Sequence, residues 1–408
     1  MKKLQKTLVA SSVLLATQAF AAGFQVNEHS ASGLGRAFSG EGAVADNASV
    51  IARNPAAMTL FDSAEFSGAL SYIDPEIDVT NKTNGQESKD VAPSQIVPAA
   101  YYLSPINEQW AWGIGLFTYY GVATDYPDDT TAGTNAGDTS LVSVNLNPSL
   151  AYRIDEQWSV GAGLNLVYAK AELNRTYGDI GASVGASASD NFVSMEGSTW
   201  GYGWNVGAMY EYNEHNRFAA TYRSKVDLEF DGDYSNSLFG VDTEAELDVP
   251  LPAIFELSAY HRLNESWAIH YGWQWTEWSD FTDLTASSDN CTFNAGTCFN
   301  KDESYEDNNR YSIGATYFLN PNWILRAGFA YDEQAGKSTL SIPDTDRYWY
   351  SAGFTYIHNP KWSVDVGMTL IDTKDIEFDE TSSSGVTYDY SSEGITYIGA
   401  VQVNYKFD

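Results

Sequence analysis

The sequence predicts an all-β protein: a transmembrane antiparallel β-barrel of about 14 strands, with an N-terminal hatch inside its lumen. Three observations carry this reading: a recurring turn, strands with one apolar and one polar face, and short turns alternating with long polar connections. The turn reads Asn or Asp, Glu or Pro, any residue, Trp, and occurs at Asn107 to Trp110, Asp155 to Trp158, Asn264 to Trp267, Asn320 to Trp323 and Asn359 to Trp362. Asn213 to Asn216 is a variant without the Trp.

Each turn leads into an alternating segment. After Trp158, the residues Val160, Ala162, Leu164, Leu166 and Tyr168 share its face, and Ser159, Gly161, Gly163, Asn165, Val167 and Ala169 take the other. Aromatics about ten residues apart bracket the apolar face, the length a tilted strand needs to cross a hydrocarbon core. The segments from Trp110, Trp267, Trp323 and Trp362 repeat the pattern. Their opposite faces carry His270, Gln274, Arg326 and Asp365, which hydrocarbon would penalise heavily. A soluble β-sandwich would bury its tryptophans in a core rather than set each one just past a turn.

Lys2, Lys3 and Lys6, the apolar stretch from Leu8 to Ala16, and Ala19-Phe20-Ala21 read as a signal peptide over residues 1–21, cleaved before Ala22. No later stretch is apolar for the ~18 residues of a membrane helix, so the expected location is the bacterial outer membrane. Without the three signal lysines, 19 basic residues face 54 acidic ones, a formal charge of 19 − 54 = −35. Repulsion excludes nucleic acid as a partner. Acidic loops suit divalent-cation contact with lipopolysaccharide beside the outer-membrane lipid.

Long polar connections lie at 81–90, 124–139, 174–198, 231–246, 287–309, 333–346 and 373–391, and fit extracellular loops. Six short turns join twelve strands; one more from about Phe66 and one ending near Phe407 make about 14, with both termini periplasmic. Cys291 and Cys298, the only cysteines, share one external loop and can pair in an oxidising compartment; two thiols without a nearby His fall short of a zinc site. Residues 22–62 show no alternation and are too few for a core of their own, so they are expected in the lumen as a hatch, with the barrel spanning 63–408. Their glycines, Gly33, Gly35, Gly40 and Gly42, follow no strand and precede no Lys-Ser/Thr pair, which argues against a phosphate loop.

Several ordered blocks resemble the FadL family of outer-membrane transporters for long-chain fatty acids. They are Ala22-Gly23-Phe24-Gln25-Val26-Asn27-Glu28, Ser32-Gly33-Leu34-Gly35-Arg36-Ala37, Ser39-Gly40-Glu41-Gly42-Ala43, Arg53-Asn54-Pro55-Ala56, Tyr72-Ile73-Asp74-Pro75, Tyr120-Gly121-Val122-Ala123-Thr124, Trp200-Gly201-Tyr202-Gly203-Trp204-Asn205 and Ser341-Ile342-Pro343-Asp344. The resemblance implies a hatch containing Asn54, Pro55 and Ala56, capture of a fatty acid between external loops, transfer to an internal pocket, a hatch movement and sideways exit where the third strand kinks at Gly121. A strand glycine marks a bend or bulge, in keeping with that place.

A buried carboxylate needs a cation or donors. Arg175 and Lys301 match the family's carboxylate-binding pair, and the other fate open to each is an ordinary ion pair with Glu172 or Asp302. Apolar residues in external loops are candidates for the capture groove or for a small stiffening core: Ile180, Val184, Phe192, Val193 and Met195, with Leu238, Phe239 and Val241. The histidines, at 29, 215, 261, 270 and 358, are scattered, and no His-Glu-x-x-His occurs, so no catalysis, metal or cofactor is expected. The expected species is a monomer. The competing reading on the same fold is a carrier of aromatic or other neutral hydrocarbons, which needs no carboxylate-binding cation.

Overall fold

The computed structural model describes residues 23–408; the expected signal peptide lies outside them. Fourteen antiparallel strands close into one barrel. In chain order they are β1 (Glu65–Asn81), β2 (Gln95–Pro105), β3 (Trp110–Phe117 and Gly121–Thr124), β4 (Gly137–Arg153), β5 (Trp158–Thr176), β6 (Asn191–Asn213), β7 (Asn216–Arg223 and Val226–Asn236) and β8 (Val241–Leu251 and Ile254–Arg262). Then follow β9 (Trp267–Thr276 and Asp283–Ser287), β10 (Thr297–Asp302 and Asn308–Asn320), β11 (Trp323–Asp332), β12 (Arg347–Asn359), β13 (Trp362–Thr381) and β14 (Thr387–Lys406). Closure comes from β1 against β14, in register from Glu65↔Lys406 to Asn81↔Tyr390.

The recurring turn has a local cause. The first side chain folds back as an acceptor: Asn107 Oδ1 takes the amides of Gln109 and Trp110, both at 2.9 Å, and Asp155 Oδ1 takes those of Gln157 and Trp158, both at 2.8 Å. Such Asx turns reverse the chain and restart the ladder at the Trp. Each Trp then meets a Tyr across the strand pair, as in Trp158 with Tyr210 (ring centroids 4.7 Å apart) and Trp362 with Tyr405 (4.5 Å), forming one aromatic girdle.

The opposite ends of the strands differ from expectation. Connections read as loops at 231–246 and 373–391 are largely continued hairpins, β7 with β8 and β13 with β14, paired out to Asn236↔Val241 and Thr381↔Thr387. Antiparallel pairing needs no lipid, so the ladders run on with a polar outer face, while Tyr234, Ala245, Phe378 and Tyr390 stay buried on the inner one.

Residues 23–60 are almost wholly buried inside the barrel. Short helical turns, α1 (Ala31–Leu34), α2 (Glu41–Val44) and α3 (Val50–Arg53), lead to a 3-10 helix, Pro55–Leu60. Ion pairs tie the segment down: Arg36 to Glu41 (2.6 Å) and Asp46 (2.8 Å), Asp46 to Arg326 of β11 (3.0 Å), and Arg53 to Glu256 of β8 (3.3 Å).

Candidate functional site

The lumen above the hatch contains a slot lined almost entirely by apolar side chains, among them Phe24, Leu141, Met195, Phe230, Leu247 and Ile342. Its cavity volume is about 70 Å³. The shape is that of a cleft for a thin apolar chain, not an open channel. Cost-free burial of such a lining requires an apolar occupant or close packing.

At the rim of the slot, Arg175 and Lys301 meet. Arg175 is buried at the end of β5, with Nη1 donating to the carbonyls of Asp138 (2.9 Å) and Asn174 (2.8 Å), and Nη2 to Thr139 Oγ1 (3.0 Å) and Ser341 Oγ (2.8 Å). Lys301 donates to the same Ser341 Oγ (2.7 Å) and pairs with Glu380 Oε1 (3.0 Å). Thr139, which accepts from Arg175, and Ile342, next to Ser341, also line the slot, so the charged cluster adjoins the apolar cleft through these two residues. Neither cation takes the partner weighed from sequence: Lys301 turns to Glu380, and Glu172 pairs with Lys170.

One segment of the 333–346 connection organises the cluster. Ser341 Oγ receives both cations, the amide of Leu340 donates to Glu380 Oε2 (2.9 Å), and Thr339 Oγ1 donates to Glu303 Oε2 (3.1 Å). Burial pushes the Glu303 carboxyl up to about 7, against the opposing pull of Lys301. Ser341 entered the sequence reading only as part of a resemblance block, and Glu303 and Glu380 were given no site role; the three come from separated segments, and nothing in linear spacing joins them.

The apolar loop candidates divide. Met195 lines the slot, and it packs with Val193, Leu173 and Tyr234 in a satellite core that includes Cys291 and Cys298. These two cysteines form a disulfide. Phe192 rests on Tyr177, whereas Leu238 and Phe239 project at the exposed tip of the β7–β8 hairpin, Phe239 stacking on Phe293 with centroids 4.2 Å apart.

Below the slot, the third strand is broken. β2 pairs with β3 only as far as Ala100↔Leu116, and Gly121–Thr124 pairs with β4 alone. In the interval the hatch supplies a partner: Val26 N donates to Tyr119 O and Gly121 N to Phe24 O, both at 2.7 Å. Phe24 therefore sits at the floor of the slot and beside the break, ringed by Trp278 (4.6 Å), Phe281 (5.1 Å) and Tyr120 (6.0 Å).

Asn54, Pro55 and Ala56 lie flat against the wall. Asn54 Oδ1 caps the 3-10 helix through the amide of Ala56 (3.0 Å), and its Nδ2 donates to Gly42 O (2.8 Å). The wall opposite is glycine: a Cβ on Gly161 would come within 2.5 Å of Ala56 N, and one on Gly207 would collide with Asn54 Oδ1. These inward-facing strand glycines are a signal the sequence reading left unused.

One further motif bears on the expectation of no catalysis. Gly181-Ala182-Ser183-Val184-Gly185 matches Gly-x-Ser-x-Gly. It forms a helical turn in the external connection after β5 rather than a strand-to-helix elbow, and Ser183 Oγ donates to Ile180 O (2.6 Å). Its hydroxyl is held by its own turn, without the strained strand-to-helix elbow that exposes the nucleophile in that motif.

Barrel, plug and apolar cleft define an outer-membrane transport protein rather than an enzyme. The chain belongs to the outer membrane protein transport protein family (OMPP1/FadL/TodX), which matches residues 12–407. It is 40% identical, over 99% of its length and 100% of the relative's, to the long-chain fatty acid transport protein of Escherichia coli O6:H1 strain CFT073, and 37% identical over the full length of both chains to outer membrane protein P1 of Haemophilus influenzae. Among solved structures, a FadL homologue of Pseudomonas aeruginosa superposes with a TM-score of 0.83 at 21% identity, covering 95% of this chain and all of that one. The toluene transporter TbuX of Ralstonia pickettii superposes at 0.64 and 17% identity, covering 97% and 98%.

Proposed function

We propose that this protein takes up long-chain fatty acids across the outer membrane, as a monomer with both termini in the periplasm. The acid is captured at the external loops and lowers its acyl chain into the slot. Its carboxylate meets Arg175 and Lys301, the hatch strap carrying Phe24 withdraws from the break in β3, and the ligand leaves sideways toward the lipid. The observation that carries this reading is the placement of a buried arginine and a largely buried lysine beside an apolar cleft whose floor is a hatch side chain next to a broken wall strand.

A neutral hydrocarbon would gain nothing from two desolvated cations, which favours an acid over the hydrocarbon reading. A charge-assisted bond contributes about 1.5 to 3 kcal/mol, about tenfold or more in affinity. Binding of a fatty acid and its methyl ester to Arg175→Ala and Lys301→Ala tests this. The acid is expected to weaken by about tenfold or more and the ester far less. Equal weakening of both would show that the cations serve packing alone.

A further inference from the structure

The carboxylate site has no spare positive charge. Arg175 and Lys301 share their surroundings with two carboxylates, Glu380 on β13 and Glu303 between the two parts of β10, so with all four ionised the cluster is already neutral before any ligand arrives. Glu303 is fully buried, and only one of its oxygens is held, by Thr339; Oε1 has no hydrogen-bond partner among the described residues. Lys301, Glu380 and Arg175 act on Glu303 directly, Tyr305 faces it from the side of Asp344 and Arg347, and Asp138 and Tyr126 face Arg175. Arg347 is the one further cation among them, and it is paired with Asp344.

A third carboxylate brought into such a balanced cluster would leave one uncompensated buried negative charge, an arrangement proteins avoid by protonating one member. The two resident carboxylates are held unequally: Glu380 by Lys301 and by the amide of Leu340, Glu303 by a single hydroxyl donor. The weakly held one is the acceptor.

Resting on the fatty-acid reading of the site, we infer that an anionic ligand head enters this pocket together with one proton, and that Glu303 takes that proton. Capture is then linked to pH. Because the free carboxyl titrates near 7, binding below that value needs no uptake, and affinity falls above it as the proton must be drawn from solution. At full linkage the fall is about tenfold per pH unit.

The test compares a long-chain fatty acid with an alkyl sulfonate of the same length, which stays ionised throughout, on the full-length barrel in detergent between pH 6.5 and 8.5. For the wild type, both ligands should weaken with rising pH, and calorimetry in two buffers of different ionisation enthalpy should count close to one proton taken up near pH 8. Glu303→Gln, which keeps an acceptor for Thr339, should bind both ligands with no pH slope and no proton uptake. A flat wild-type profile without proton uptake overturns the inference, and this measurement needs no variant to fold. A slope for the fatty acid but none for the sulfonate places the proton on the ligand and overturns the role of Glu303. Survival of the slope in Glu303→Gln does the same. If the fatty acid binds no better than its methyl ester at any pH, the underlying reading of the site fails instead.

Discussion

Arg175 Nη2 and Lys301 Nζ donate to a single oxygen, Ser341 Oγ, at 2.8 and 2.7 Å. Two cations held this close repel each other, and the shared hydroxyl together with Glu380 offsets that repulsion. Removal of either cation therefore changes the environment of the other. In Arg175→Ala plus Lys301→Ala, losses of fatty-acid affinity should fall short of additivity, with a coupling energy of about 0.5 to 3 kcal/mol, as for residues in one hydrogen-bond network. A fluorescence displacement assay on the two single variants and the double provides the cycle. Additivity within about 0.5 kcal/mol would mean that the two cations act separately.

The barrel was legible in the sequence because two strong constraints write it there. Lipid forces alternation between Trp158 and Tyr168, and the Asx turn demands Asn or Asp at fixed distance before the Trp. Above the membrane the lipid constraint ends, so the extended β7–β8 and β13–β14 hairpins read as loops. Arg175 and Lys301 were found through resemblance alone. The joint role of Ser341, Glu303 and Glu380 stayed hidden because their meeting depends on how three long connections fold over the lumen, which no local pattern records. The hatch tethers Arg36, Asp46 and Arg326 were invisible for the same reason, although an inward Arg326 already demanded a partner.

The glycines opposite the hatch give a second prediction. Gly207→Ala inserts a methyl group into Asn54 Oδ1, and Gly161→Ala drives one against Pro55 and Ala56. The barrel ladders β5–β6 and β6–β7 tolerate alanine, so the strain falls on the hatch. Both variants should retain heat-modifiable gel mobility while raising ion conductance in planar bilayers and uptake of large antibiotics. Conductance at the wild-type level would show that the hatch absorbs the methyl without moving.

A third prediction concerns the tether from hatch to wall. Arg326 contacts Asp46 at 3.0 Å and Asp365 at 3.5 Å, and all three sit inside the lumen. Removing one partner of a buried pair leaves a stranded charge and costs about 3 to 5 kcal/mol. Arg326→Met should accordingly lower the unfolding temperature, and adding Asp365→Asn should recover part of the loss. No recovery would indicate that packing of the Arg326 stem, rather than its charge, anchors the hatch.

The disulfide offers a fourth. Cys291 and Cys298 close a short loop and pack in a satellite core beside Met195, a residue of the slot lining. A loop of this size contributes about 2.5 kcal/mol through the unfolded chain. Reduction should thus lower stability of the external connections to protease while leaving fatty-acid affinity within about twofold, since the slot is also walled by Phe230 and Leu247. Thiol labelling of folded, unreduced protein should find neither cysteine reactive, and labelling of both would contradict the pairing.

Exit through the wall can be separated from capture at Gly121. Its amide donates to Phe24 O, so the residue joins the hatch strap to the upper part of β3, next to the stretch where β2 and β3 share no ladder. A β-branched residue at this position stiffens the chain and favours continuous extended pairing. Gly121→Val should therefore bind a fatty acid with near wild-type affinity, because Arg175, Lys301 and most of the slot are untouched, yet transport it poorly. Equilibrium binding in detergent and uptake of labelled oleate by cells lacking their own transporter measure the two steps on one variant. Wild-type uptake with normal surface levels would remove Gly121 from the exit path. Loss of binding and uptake together would instead place it in capture, through the position of Phe24 at the floor of the slot.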